Sequence, residues 1–137
     1  MSGEDLAESY CRMARSRLAG LEFYLARGDH AIVVREAQEC VEMALKAALR
    51  RAGIEPMKIH DVSRQLREAQ ERLHEPLRTS LDRICAISSR LRKERETSFY
   101  GDVDMVPTET YGADDALSAF ADAKFVVETA CGGPIKL

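Results

Sequence analysis

Arg35-Glu36-Ala37-Gln38-Glu39-Cys40-Val41-Glu42-Met43-Ala44-Leu45-Lys46-Ala47-Ala48-Leu49 contains no glycine, no proline and no period-two alternation. With Val33 just before it, its apolar residues Ala37, Cys40, Val41, Ala44, Leu45, Ala48 and Leu49 recur at spacings of three and four. That spacing places them on one broad helical stripe, with Arg35, Glu39, Glu42 and Arg50 outside it. The helix is expected from about His30 to Ala52, where Gly53 stops it and Pro56 discourages its continuation. The small residues in the stripe imply close approach by neighbouring helices.

The same spacing extends in both directions. Upstream, Leu6, Tyr10, Met13, Leu18, Leu21 and Leu25 share one face of a first helix, which Ser2 and Asp5 open as a capping box. Gly28 stops that helix and Asp29 caps the next, so the two helices must be antiparallel neighbours. Downstream, a shorter helix is expected from His60-Asp61, carrying Val62, Leu66, Ala69 and Leu73. Pro76 suits the first turn of a fourth helix, with Leu77, Leu81, Ile84, Cys85, Ser88 and Leu91 along it. Ser98 to Ala113 loses the periodicity and is punctuated by Gly101, Pro107 and Gly112, which predicts a long loop. Asp114 or Asp115 then caps a last helix with Ala116, Phe120, Ala123, Val127 and Ala130, closed by Gly132-Gly133-Pro134. The expectation is an all-α, up-and-down bundle of four long helices and one short helix, with residues 1–137 as a single domain.

Composition agrees. The chain has 137 residues, 45 % hydrophobic and 31 % charged, which suits one globular core and excludes intrinsic disorder. A formal charge of −3 provides no global field for nucleic acid, so any such binding must be local. No apolar run approaches a membrane span, and Met1-Ser2-Gly3-Glu4-Asp5 lacks the character of a signal peptide. Cys11, Cys40, Cys85 and Cys131 form no Cys-x-x-Cys pair and read as reduced thiols of a cytoplasmic protein.

Motifs for chemistry are few. His30, His60 and His74 have no histidine or cysteine three or four residues on, and they read as structural or surface groups rather than metal ligands. Asp102, Asp104 and Glu109 read as solvated loop acids. No phosphate-binding glycine loop, nucleophile elbow or zinc-protease helix is present, and no metal or cofactor is implied. Arg83, Arg90, Arg92, Lys93 and Arg95 crowd the end of the fourth helix, where they complement its dipole. Phe99 and Tyr100 follow directly, and arginines beside aromatic rings can hold phosphates and stack bases.

The order of these signals resembles the HEPN domain family of small prokaryotic helical proteins. The resemblance runs from Tyr10 to about Val127. It is carried by the 35–49 helix, by His60-Asp61-Val62 with Leu66, and by Arg95, Tyr100-Gly101-Asp102, Tyr111 and Asp115-Ala116. It implies a helical bundle that commonly dimerises, in one of two branches. Many members are metal-independent ribonucleases with Arg-x(4–6)-His near the end of the fourth helix, one copy from each protomer. Others lack that motif and bind nucleotides or pair with a small nucleotidyltransferase encoded beside them.

Arg95 stands at the family's arginine, but Tyr100 stands where the ribonuclease pattern places histidine. A phenol with a pKa near ~10 is a far weaker base than imidazole at neutral pH. Arg67 and His74 satisfy the bare spacing one helix too early. The leading expectation is therefore a noncatalytic module that forms a homodimer and binds a nucleotide, RNA or a nucleotidyltransferase partner of a toxin–antitoxin type system. Arg90, Arg92, Arg95, Tyr100 and Asp102 are its candidate ligand-binding residues. The alternatives are a ribonuclease toxin using Arg95 and a helical adaptor without nucleotide binding.

Overall fold

The computed structural model describes residues 3–100 and 106–132, without the side chains of Phe99 and Tyr100. Six α-helices appear in chain order: α1 (Gly3–Arg27), α2 (His30–Arg51), α3 (Ser63–Glu68), α4 (Leu81–Tyr100), α5 (Pro107–Thr110) and α6 (Ala113–Cys131). No strand occurs among the described residues. Four helices are long, as expected, and α2 is the central one, packing on α1, α6 and α4.

Two identical chain reversals build the first half. Gly28 N–H bonds Leu25 O and Asp29 N–H bonds Tyr24 O; Gly53 N–H bonds Arg50 O and Ile54 N–H bonds Leu49 O. Both glycines lie at positive φ, +77° and +79°, which a side chain would resist. The α2 stripe is buried as read, and the burial also takes in Ala47 and Gln38. Leu21, Leu45, Leu49, Leu66, Ile84 and Leu91 are the largest fully buried apolar side chains and fill the space between the long helices.

Several expected boundaries move. The third segment is one short helix followed by a 3₁₀ turn at Gln70–Arg72. It starts after His60-Asp61 because Asp61 Oδ1 accepts the Ser63 backbone N–H at 3.0 Å, so Asp61 caps from outside. The fourth helix begins at Leu81, not Pro76. Residues 75–80 form turns in which the Glu75 carboxylate accepts both the N–H and the hydroxyl of Thr79. The expected 98–113 loop is shorter at both ends. Ser98 stays in α4 because its hydroxyl bonds Arg95 O within the helix, and Pro107 opens the single turn of α5. Gly112, not Asp114 or Asp115, is the N-cap of α6, and its N–H donates to the Asp115 carboxylate. Ser2, and with it the expected capping box, lies outside the described residues.

The reading of four reduced cysteines is corrected. Cys11 on α1 and Cys131 at the end of α6 are joined as a disulfide, with Cα atoms 5.6 Å apart across 120 residues of sequence. Spacing along the chain could not show this, because the pairing depends on α1 lying against α6. Cys40 and Cys85 are free and buried. Among the described residues, no helix is long and apolar enough to cross a membrane.

Candidate functional site: a guanidinium cluster across three helices

Outside the apolar stripe of α2, Glu36 and Glu39 are half-buried and face arginines of two other helices. Glu39 is at the centre. Its Oε2 lies 2.7 Å from Arg17 Nη1 of α1, and its Oε1 lies 3.3 Å from Arg95 Nη1 of α4 and 3.6 Å from Arg35 Nη2. Glu36 joins the same group, 2.5 Å from Arg35 Nη1 and 3.2 Å from Arg17 Nη1. Three guanidiniums from three helices thus converge on two carboxylates.

Gln38 connects this cluster to the entry of α3. It is 1 % exposed, and its amide is fully engaged. Oε1 accepts Arg95 Nη1 at 2.6 Å, while Nε2 donates to His60 O at 3.0 Å and to Glu42 Oε1 at 3.1 Å. Glu42 also holds His60 Nδ1 at 2.8 Å and Lys46 Nζ at 2.9 Å. Burial would raise the Glu42 carboxyl, but the bonds from Lys46, His60 and Gln38 outweigh it and hold the group below its ordinary range. His60 is therefore a pinned, half-exposed ring, with its Nδ1 committed to Glu42. Next to it, Asp61 ties α3 to α4 by accepting the hydroxyls of Ser63, Ser88 and Ser89.

The five residues nominated from sequence do not converge as a group. Arg95 lies five positions after Arg90, which turns them about 140° apart around α4. Arg95 faces α2. Arg90 faces α6, where it pairs with Asp122. Arg92 lies three residues before Arg95 on the same side, half-buried, with no partner among the described residues. Tyr100 ends α4, its side chain undescribed, and Asp102 lies outside the described residues.

On the Arg90 side, a cleft of about 330 Å³ separates α4 from the start of α6. Val34, Leu91 and Ala119 contribute its apolar lining, and Arg90, Glu94, Tyr111, Asp114 and Asp115 its polar edge. Tyr111 donates its hydroxyl to Glu94. Burial and that neighbouring carboxylate both push the phenol above its ordinary range, so it is a donor and not a base. Arg17, Arg35 and Gln38 were not singled out in the sequence. Gln38 carried a signal, since it falls one position from the apolar stripe between Ala37 and Glu39; Arg17 and Arg35 carried none.

The HEPN domain model matches residues 7–133, from within α1 to beyond the end of α6. The chain belongs to the HEPN domain family. No curated protein and no solved structure shows significant similarity to it. Within this HEPN domain, the match takes in both faces of α4, the guanidinium cluster and the cleft beside Tyr111. The described partners of the α4 arginine at position 95 are a carboxamide and a carboxylate, both supplied by α2.

Proposed function

We propose that this HEPN domain is a noncatalytic module that binds the phosphate of a nucleotide or RNA through the Arg95 side of α4. The observation that supports it most directly is the setting of Arg95. Its guanidinium is held against Gln38 and Glu39, and the residue five positions on is Tyr100, where the ribonuclease branch would carry histidine. Cleavage of RNA needs a proton acceptor for the 2′-hydroxyl as well as a cation for the phosphorane charge. Arg95 supplies the cation, and the residue five positions on supplies a phenol in place of an imidazole. Binding needs only the guanidinium, which grips a phosphate bidentately without proton transfer.

The same reading includes a homodimer and a small nucleotidyltransferase partner of a toxin–antitoxin type system, both taken from the family's habits. The test is a binding titration and a cleavage assay on wild type, Arg95→Ala and Tyr100→His. Wild type is expected to bind RNA, Arg95→Ala to bind it weakly, and neither to cleave it. Robust wild-type cleavage abolished by Arg95→Ala would replace this reading with the ribonuclease. Binding unchanged in Arg95→Ala would leave the helical adaptor. Light scattering checks the dimer, and a 15.3 kDa particle at micromolar concentration would count against it.

A further inference from the structure

We infer that His60 and Arg92 form a proton-linked seat for one phosphate group, held between the outward Nε2 of the His60 ring and the Arg92 guanidinium. The inference rests on the phosphate-binding reading above for its ligand class, and it names the contact residues, with Arg95 flanking them.

Availability is the first argument. Arg95 is engaged by Gln38 and Glu39, and Arg90 by Asp122. Arg92 is half-buried and has no hydrogen bond, ion pair or ring contact among the described residues. The His60 ring is 45 % exposed; its Nδ1 is taken by Glu42 at 2.8 Å, and Nε2, on the far edge, has no described partner. Placement is the second argument. Arg92 follows Ser89 by three positions and Ser88 by four, so all three share one face of α4. Helical side chains lean toward the N-terminus, which carries the Arg92 side chain over the turn of those serines. Both serine hydroxyls donate to Asp61, and the neighbouring His60 carbonyl accepts Gln38, which also holds Arg95. His60 is thereby fixed against the part of α4 between Ser88 and Arg95, and Arg92 lies within that part on the same side. Asp61 already accepts four donors and forms no ion pair with Arg92 among the described residues, which leaves the guanidinium to an outside anion.

Proton linkage follows from the ring's two edges. The charged groups around it are Glu42 and Lys46 on α2, Asp61 beside it, and Arg92, Arg95 and Glu96 on α4; Arg64 and Glu68 of α3 pair with each other. Carboxylates, ammonium groups and guanidiniums keep their charge across neutral pH, whereas imidazole is the side chain that changes it there. Glu42, held below its ordinary range, stays ionised throughout. With Nδ1–H donated to Glu42, a neutral ring turns a lone pair toward the anion and a protonated ring turns an N–H toward it. Phosphate binding and ring protonation therefore favour each other, which a merely structural His60–Glu42 pair would not produce.

The experiment titrates a fluorescein-labelled oligoribonucleotide and, in parallel, fluorescently labelled ATP into the full chain, at several salt concentrations and at about pH 6 and about pH 8. The seat takes whichever phosphate shows both dependences below. Arg92→Ala is expected to weaken binding about tenfold at either pH and to reduce the salt slope by about one. Arg92 has no described partner to lose, so this variant should melt with wild type. Wild type is expected to bind several-fold more tightly at the lower pH. His60→Asn keeps a donor for Glu42 but removes the outward nitrogen, and it should abolish that difference. If Arg95→Ala weakens binding and Arg92→Ala does not, the seat is overturned and the Arg95 reading stands. If His60→Asn keeps the full pH difference, the ring is no part of the seat, which is overturned as well. RNA cut by wild type and spared by His60→Asn would make the ring a base, overturning both the seat and the noncatalytic reading. If neither phosphate binds, or no arginine variant changes binding, the seat and the proposed function fall together.

Discussion

At the scale of single residues, Asp61 has the most demanding position. Its two oxygens accept the Ser63 N–H and the hydroxyls of Ser63, Ser88 and Ser89, so one carboxylate joins the start of α3 to the middle of α4. Burial would raise its pKa, but these bonds outweigh burial and hold it below the ordinary value. A carboxyl depressed in the folded state contributes stability that is complete above its unfolded pKa of ~4 and is lost as pH falls through the lower folded value. Asp61→Ala should cost about 3 kcal/mol at neutral pH, the scale of losing hydrogen bonds to a charged acceptor. Urea midpoints at neutral and acidic pH would check both points, with Asp61→Asn expected to flatten part of the acid decline. Only the Ser63 part of this is local. The sequence places His60-Asp61 at a helix start, but the groups that use the pair, Glu42, Ser88 and Ser89, lie on α2 and α4, far along the chain.

At the scale of elements, the helices were legible because periodicity and punctuation are local, and the boundaries were not where a side chain decided them. Gly28, Gly53 and Gly132 fall at helix ends with positive φ, as their positions implied. Leu81 starts α4 instead of Pro76 because Glu75 engages Thr79, an exchange that no apolar pattern records. The partners of the Arg35–Glu42 edge were not legible for a similar reason. Amphipathic pattern separates apolar from charged residues, but cannot show that α1 and α4 bring their own arginines to the charged side. Two glycines make the positional argument testable. Gly53→Ala forces φ +79° on an alanine and puts its Cβ 3.1 Å from Arg72 Nη2, which itself bonds Ala52 O. The expected loss is about 2 kcal/mol. Gly20 lies within α1, and a methyl group added there would meet nothing within 4 Å, so Gly20→Ala should instead stabilise by ~0.5–1 kcal/mol. Thermal melts of the two variants should therefore move in opposite directions.

At the scale of the whole molecule, the first and last helices are held together by more than apolar packing. Arg15 on α1 donates to Cys131 O, Arg51 on α2 donates to Ala130 O, and the Cys11–Cys131 bond closes nearly the entire chain into one loop. The two arginines meet the carbonyl end of α6, where positive charge is favoured. They would remain after reduction, so the fold should survive loss of the disulfide while becoming less stable. Closing a loop of this length restricts the unfolded chain by about 5 kcal/mol in the chain-entropy model. The free cysteines behave differently. Burial, with Glu36 nearby, pushes the Cys40 thiol up to about 12, and burial raises Cys85 as well, so neither presents a thiolate at neutral pH. A thiol reagent should find almost nothing in the native oxidised protein, two thiols on unfolding and four after reduction and unfolding. Cys11→Ser and the reduced wild type should then unfold at matching, lower urea concentrations. Four thiols in the unreduced, unfolded protein, with no change in midpoint on adding reductant, would show that α1 and α6 are held by packing and the two arginines alone.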